Sequence, residues 1–415
     1  MSDLNRREFV ASAAALAAAA KVGQDSPPIR VGVIGCGGRG SGALENCLAS
    51  SENVEIYALA DMFKDRADGA RAHLAGLKKG DMPHPGNKVT DERVFTGFDA
   101  YKRVLDTGVD MVILATPPGF RPIHFEAAIE AGKHVFTEKP VAVDPVGVRR
   151  FIAAGKKAAE KKLAVVAGTQ RRHEGSYLAT VKHIHDGAIG KITSGRAYWN
   201  GSGVWVHPRR PNWTDMEYQL RNWYYFTWLC GDHIVEQHIH NLDVMNWVLK
   251  AVPLRAVATG GRQSRTEAQY GHIWDHFTVD FTYPDDVHVL SMCRHWPGPG
   301  NVSEAVVGTR GRSNCANQIT GEVNWTYREK HRNPYEQEHT DLISSIRRNE
   351  PLNEAEAVAH STLTAIMGRE AAYSGQEITW DQMMKSDLSL LPEDLSMDAA
   401  LPEPPVAVPG KYKFK

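Results

Sequence analysis

The segment that most restricts how this chain can fold is Gly35-Cys-Gly-Gly-Arg-Gly40 with its flanks. This GxGxxG directly follows a short apolar run, Ile29–Ile34 (IRVGVI), and opens a helical stretch at Ser41–Ala49. A second apolar run, Val54–Ala60, ends on Asp61, 21 residues beyond Gly40. A glycine turn between strand and helix, with an acidic residue at the end of the next strand, is the dinucleotide-binding arrangement. Gly35 permits the tight turn, Gly37 lets backbone approach a pyrophosphate, and Gly40 allows close packing of helix on strand. Around Gly38 and Arg39 the helix start offers free N–H groups and a positive dipole end to phosphates. Asp61 is placed to accept from a ribose 2′-OH, which favours NAD over NADP; Lys64 and Arg66 stand near enough to keep a 2′-phosphate open.

The pattern continues. Val109–Ala115, His134–Thr137 and Leu163–Ala167 are further short apolar runs, separated by helical stretches at His124–Ala131 and Pro145–Glu160. Strands alternating with helices imply βαβ units and a parallel sheet buried on both faces. Lys78–Thr90 is polar and rich in Pro and Gly, and reads as a surface loop. Ligands of such sheets bind at strand C-termini. Two of those ends carry Thr116-Pro117 and Glu138-Lys139-Pro140, and His124 follows on the next helix. Thr116, Pro117, His124, Glu138 and Lys139 are therefore expected beside the cofactor. The Lys139 cation could also lower the pKa of a substrate hydroxyl.

In the second half, Lys191–Trp199, His276–Tyr283, Val287–Arg294 and Ala305–Gly308 read as strands without comparable helices between them. They suit a mostly antiparallel sheet. Glu336–Arg348 and Ala355–Ser374 read as helices, and Leu401–Lys415, with four prolines, as an extended tail. Five scattered cysteines with no CxxC argue against a disulfide framework or thiolate zinc site. A net charge of −1 without a basic stripe argues against nucleic acid as a partner. No strongly apolar stretch of about 18 residues suggests a membrane anchor. Near the start, Arg6-Arg7 precede an alanine-rich run and a Pro-containing spacer, the form of a twin-arginine export signal. A plain alanine-rich helix is the alternative. The expected destination is the periplasm, reached through the twin-arginine export machinery.

Gly231–Asp243 (GDHIVEQHIHNLD) holds three histidines and a glutamate. If Asp232–Trp247 is one helix, His233, Glu236, His240 and Asp243 fall on one polar face, and His238 lies among apolar residues as a core or subunit-contact histidine. The polar face offers N, O and N donors adequate for zinc or manganese, but it lacks an HExxH arrangement, and no metal is expected. Between Tyr198 and Trp228, tryptophans and tyrosines, Tyr225 among them, are interleaved with Arg209, Arg210 and Arg221. Such a mixture suits either sugar faces or an oligomer interface.

The motifs GCGGRG, ALAD, ATPPGFRPIH, AGKHVFTEKP, AGTQRRH and AIGKI, with the helix AEAVAHSTLTAIMGREAAYSGQ, resemble the Gfo/Idh/MocA oxidoreductases over nearly the whole chain after the leader. The resemblance implies an α/β fold: an N-terminal Rossmann domain, then an α/β domain with a large, open, mostly antiparallel sheet that forms homodimer or homotetramer interfaces. The corresponding divisions are residues 1–28 (signal and linker), 29–169 (NAD-binding), 170–400 (substrate and oligomerisation, with the helix near 355–374 packing back) and 401–415 (tail). The implied activity is hydride transfer between NAD(P) and a secondary alcohol of a sugar, polyol or glycoside, with the nucleotide retained if the protein is exported. The family's D-x-x-x-H pattern falls on Glu236 and His240, with Glu in place of Asp. Lys139, Glu236 and His240 are the implied catalytic residues; Arg172, Tyr225, Glu236 and His240 are the expected substrate contacts. A glycoside hydrolase that oxidises and re-reduces its substrate on bound NAD, and a non-catalytic nucleotide- or sugar-binding protein, are the alternatives.

Overall fold

The computed structural model describes residues 26–414; the export-signal expectation at Arg6-Arg7 lies outside them. The first domain is a six-stranded parallel sheet of β1 (Ile29–Ile34), β2 (Val54–Asp61), β3 (Val94–Thr96), β4 (Met111–Leu114), β5 (His134–Thr137) and β6 (Val165–Ala167). Its order is β3-β2-β1-β4-β5-β6, so the chain reverses direction across the sheet at β1/β4. Ligands of doubly wound sheets bind at such a switch point. β4 is buried along its whole length, as a strand covered on both faces must be. β3 has no sequence signal because its three residues, two half-buried and one exposed, carry no periodicity.

The second domain is built on a nine-stranded sheet. Its long strands are β7 (Ile192–Gly201), β8 (Arg255–Gly261), β9 (His276–Tyr283), β10 (Val287–His295) and β11 (Asn301–Gly308), extended by β12 (Gly311–Ser313), β13 (Gln318–Gly321), β14 (Trp325–Thr326) and β15 (Ile378–Thr379). The order is β14-β13-β12-β11-β7-β10-β9-β8-β15. Only β7 and β10 run parallel; every other pair is antiparallel. One face is covered by helices: a Cβ on Gly368 would meet Phe281, Ile234 and Val279. The other face is open. On it Val257, Asp280, Leu290, Arg196 and Ala305 form one cross-strand row, with Val257 and Leu290 exposed.

Two late helices return to the first domain. The helix Pro334–Arg347 is tied to the end of the helix Gly38–Ser50 by Arg347 Nη1 donating to Ser51 Oγ (2.6 Å) and Thr340 Oγ1 donating to Ser50 O (3.2 Å). The helix Ala355–Ser374 packs on Pro145–Glu160, where Gly155 leaves room for Ala355. The tail is extended but docked. Trp274 Nε1 donates to Ala407 O (3.1 Å), Tyr412 Oη to Glu370 Oε2 (2.8 Å) and Gly410 N to Ser374 O (3.1 Å). Among the described residues no helix is long and apolar enough to cross a membrane.

Candidate active site

The glycine turn after β1 borders a cavity of ≈ 480 Å³. Gly35 has φ +100°, and a Cβ there would sit 2.5 Å from Ala115 C; a Cβ on Gly40 would sit 1.8 Å from Gly35 O. Both glycines are therefore obligatory. Gly37 and Gly38 have nothing within 4 Å of their missing Cβ atoms, so the helix start faces open space. At the far side, Asp61 Oδ2 accepts from Cys36 N (2.7 Å) and Oδ1 from Phe63 N (2.9 Å). Burial raises its pKa, and those N–H groups counter the rise. Thr116, Pro117 and His124 line the same cavity. His124 stacks with Phe120, lies tilted against Tyr101 and meets Thr116 Oγ1 at 3.1 Å. Burial, with help from Arg121, pushes it down to about 3, so it is a neutral ring. A cradle closed to Cβ atoms, open N–H groups and a ribose-side carboxylate fit a dinucleotide.

The aromatic stretch reaches the nucleotide cavity. It is a strap, residues 201–226, that leaves β7 and crosses to the first domain. Trp205, His207, Leu220, Arg221 and Trp223 form a wall of the nucleotide cavity. The strap is fastened beside the ribose-side carboxylate. Arg221 Nη1 and Nη2 donate to the two Asp65 oxygens at 3.1 and 3.2 Å, and its guanidinium lies 3.8 Å over the Phe63 ring. His207 Nε2 lies 3.5 Å from Arg66 Nη2.

A second pocket of ≈ 280 Å³ adjoins the first and shares Arg39, Ala115, Trp205 and Trp223 with it. Lys139, Glu138, Glu236 and His240 line it. Lys139 Nζ donates to Glu236 O (2.7 Å) and Oε1 (3.0 Å), while Glu236 Oε2 has no partner among the described residues. His240 stacks on Trp199 at 5.8 Å. Burial first, then the cations of Lys139, Arg171 and Arg39, hold its pKa well below the ordinary imidazole value. Arg39 donates to Glu138 Oε1 (2.5 Å) and Glu338 Oε1 (3.1 Å), tying the glycine turn to the helix Pro334–Arg347.

Four expectations need correction. Asp232–Trp247 is not one helix: His233–Glu236 and Ile239–Leu249 are separated at Gln237-His238. There His238 N donates to His233 O, five residues back, and Asn241 N to His238 O, three back, which turns the two segments relative to each other. His233 is consequently fully buried between Phe277 and His295, with Nδ1 on Asp232 Oδ1 (3.0 Å), and not on a polar face. Arg172 does not reach the pocket. It grips buried Asp243 through Nε and Nη2, both at 2.8 Å, and lies over Trp247. Tyr225 turns its hydroxyl to Val204 O and Trp205 O; its neighbour Tyr224 lines the pocket instead. His238, expected in the core, is buried with Nε2 on Ser291 Oγ (2.8 Å). Among the described residues, no three His, Cys, Asp or Glu side chains converge as metal ligands would.

Tyr224, Tyr335 and Arg121 line the pocket without having been singled out. Arg121 had a legible signal: it stands inside ATPPGFRPIH, at a helix start just past a strand end. Tyr335 had none, because its place depends on a helix returning from 200 residues downstream.

Fold and site together define a two-domain dinucleotide-binding protein whose second domain walls the nucleotide cavity and completes a Lys–Glu–His pocket beside it. Known proteins narrow the class. "Oxidoreductase family, NAD-binding Rossmann fold" matches residues 29–167 and "GFO/IDH/MocA C-terminal domain" matches residues 177–313. The chain belongs to the Gfo/Idh/MocA family, and its first domain is that family's NAD-binding domain. An inositol 2-dehydrogenase of Klebsiella pneumoniae (strain 342) is 31% identical over 224 residues, 53% of this chain and 54% of that one. A glycosyl hydrolase family 109 protein of Streptomyces coelicolor is 30% identical over 199 residues, 48% of this chain and 38% of that one. The chain thus spans about half the length of the curated relatives it matches. The fold is shared with scyllo-inositol dehydrogenase from Lactobacillus casei, solved with NAD(H) and scyllo-inositol (TM-score 0.63, 18% identity, 85% of this chain and 99% of that one).

Proposed function

We propose that this protein is an exported NAD-dependent oxidoreductase that oxidises a secondary hydroxyl of a sugar or polyol and keeps its nucleotide between turnovers. The observation that carries the reading is the convergence of Lys139, Glu236 and His240 on a pocket continuous with the nucleotide cavity. Glu236 Oε2, buried and without a partner, is an acceptor waiting for a hydroxyl donor. Lys139, held by Glu236, favours alkoxide character on the reacting oxygen. His240 is a neutral imidazole and takes the hydroxyl proton; burial first, then the cations around it, make it a weak base, so the proton leaves as the C–H bond breaks. NAD, when bound, supplies the hydride acceptor. The substrate loses one hydride and one proton and becomes a carbonyl compound. The inositol 2-dehydrogenase relative supports a polyol or sugar as substrate.

The strap favours retention, because a nucleotide walled by the second domain leaves only when the strap opens. Retention also makes a second reading worth testing: redox-neutral cleavage of a glycoside, supported by the glycosyl hydrolase family 109 relative. The test is mass spectrometry of nucleotide released by denaturing purified protein, then a panel of polyols, aldoses and aryl glycosides scored for NADH and for products. Oxidised product supports the first reading. Aryl glycoside cleavage without net NADH supports the second. Neither product from nucleotide-loaded protein refutes both.

Two further parts of the proposal stand apart from the chemistry. A second copy of the chain covers the open sheet face carrying Val257 and Leu290; a monomer in sedimentation would end that idea. Export rests on Arg6-Arg7, and their replacement by Lys-Lys should stop a fused reporter from leaving the cytoplasm.

A further inference from the structure

The charges of the second pocket are paired, with one exception. Arg39 is shared by Glu138 and Glu338, and Lys139 is held by Glu236. Arg121, only 4% exposed, has no carboxylate at ion-pair distance among the described residues. Its Nη1 donates to Pro140 O (2.5 Å); among the described residues Nε is buried without a partner, and Nη2, which is not fully enclosed, has no hydrogen bond. A guanidinium is a fork of five donors, and the Nε–Nη2 edge is the one that grips a carboxylate through two parallel bonds. Leaving that edge unpaired in a buried site is unfavourable.

The electrostatics agree. Burial pushes Arg121 down to about 10; Glu138 and Glu236 oppose the fall from beyond contact distance, and Arg39 adds to it. Pyrophosphate is not the missing anion, because Arg121 does not line the nucleotide cavity, whose phosphate end lies at Gly37–Gly40. The pocket that Arg121 does line also holds Lys139, Glu236 and His240. At ≈ 280 Å³ it suits a single small ring rather than an oligosaccharide.

We propose that Arg121, through Nη2, is an anion subsite and that the substrate is a sugar acid, its carboxylate on Arg121 and its reacting hydroxyl between Lys139, Glu236 and His240. This rests on the oxidoreductase reading of the same pocket. The carboxylate takes no part in the reaction; it fixes which ring carbon faces the nucleotide.

The test compares nucleotide-loaded protein with D-glucuronate and D-galacturonate, their neutral amides, and glucose and galactose. Binding is read by calorimetry and turnover by NADH and product analysis. The expected result is at least one uronate bound about ten-fold or more tighter than its amide, which has the same shape without the charge. Arg121→Gln should abolish the difference and Arg121→Lys keep part of it, with both variants checked for native unfolding temperature. Equal binding of acid and amide by the unaltered protein, or the same preference in Arg121→Gln, overturns the proposal, and the first comparison needs no variant to fold. Oxidation of neutral sugars without uronate binding leaves the oxidoreductase reading standing and removes this one. Uronate binding that depends on Arg121 without any redox product does the reverse.

Discussion

Arg221→Ala should speed nucleotide release without disturbing the pocket where Lys139 and His240 sit. Arg221 fastens the strap at two points of contact, the Asp65 carboxylate and the Phe63 ring. The Asp65 side chain is 60% exposed, so the ion pair, though bidentate, belongs with screened surface pairs worth about 0.2–1 kcal/mol. The guanidinium 3.8 Å over Phe63 adds roughly 0.5–1 kcal/mol. Together these are about 0.7–2 kcal/mol, or roughly a 3- to 30-fold faster release if opening of the strap limits dissociation. Trp205 and Trp223 line the cavity and provide the signal: energy transfer from tryptophan to bound NADH, followed in stopped flow after mixing with excess NAD. Asp65→Ala should give the smaller ion-pair part alone, and high salt should reproduce that part in the unaltered protein. The hydrogen bond from Arg221 holds Asp65 below the usual carboxylate range. Its contribution is therefore present above the unfolded value and fades as pH falls through the folded one. Release rates within two-fold of the unaltered protein for both variants would refute the strap as a gate.

Lys139→Met and His240→Ala should each lower turnover by about 10²- to 10⁴-fold while nucleotide still binds, measured by single-turnover NADH formation beside equilibrium fluorescence. His173, between Asp341 (2.6 Å) and Glu354 (3.2 Å), makes stability depend on pH. Burial alone would lower its pKa, but the two carboxylates outweigh burial and raise it to about 10. Its stabilisation is complete below the unfolded histidine value near ~6.5 and disappears as pH rises toward 10. The difference in unfolding temperature between unaltered protein and His173→Gln should therefore shrink over that interval. Gly40→Ala places a Cβ 1.8 Å from Gly35 O and should abolish nucleotide binding or folding, read by co-purified nucleotide and circular dichroism.

What the sequence made legible follows from range. The glycine turn, Asp61 and the strand-end residues Thr116 and Lys139 lie on regular βαβ units, where local pattern dictates position. Helix Ala355–Ser374 was equally plain, since 20 residues with a glycine at the C-cap mark their own limits. The histidine segment was read wrongly because a 3.6-residue projection assumes an unbroken helix. Asp232, at φ 74°, starts a short turn instead; its carboxylate takes the N–H of Trp274 (2.8 Å) and the hydroxyl of Tyr373 (2.5 Å). Both partners come from far along the chain, so no local signal reveals that turn. His240 and Glu236 nonetheless share the pocket, since the break displaces His233 and leaves those two beside Lys139.

The strap sharpens the same point about function. Tryptophan, tyrosine and arginine interleaved over residues 198–228 suit a sugar, a subunit or a nucleotide equally well, because composition records chemistry but not destination. The destination is set by pairings such as Arg221 with Asp65 and Arg66 with His207, each joining one domain to the other. With the strap walling the nucleotide cavity, Arg121, the pocket cation without an ion pair among the described residues, gains weight. Arg121 would be unremarked if Trp205 and Trp223 were free to stack on a sugar alone. With both also walling the nucleotide cavity, Arg121 adds charge to the aromatic faces of Tyr224 and Tyr335 in distinguishing one sugar from another.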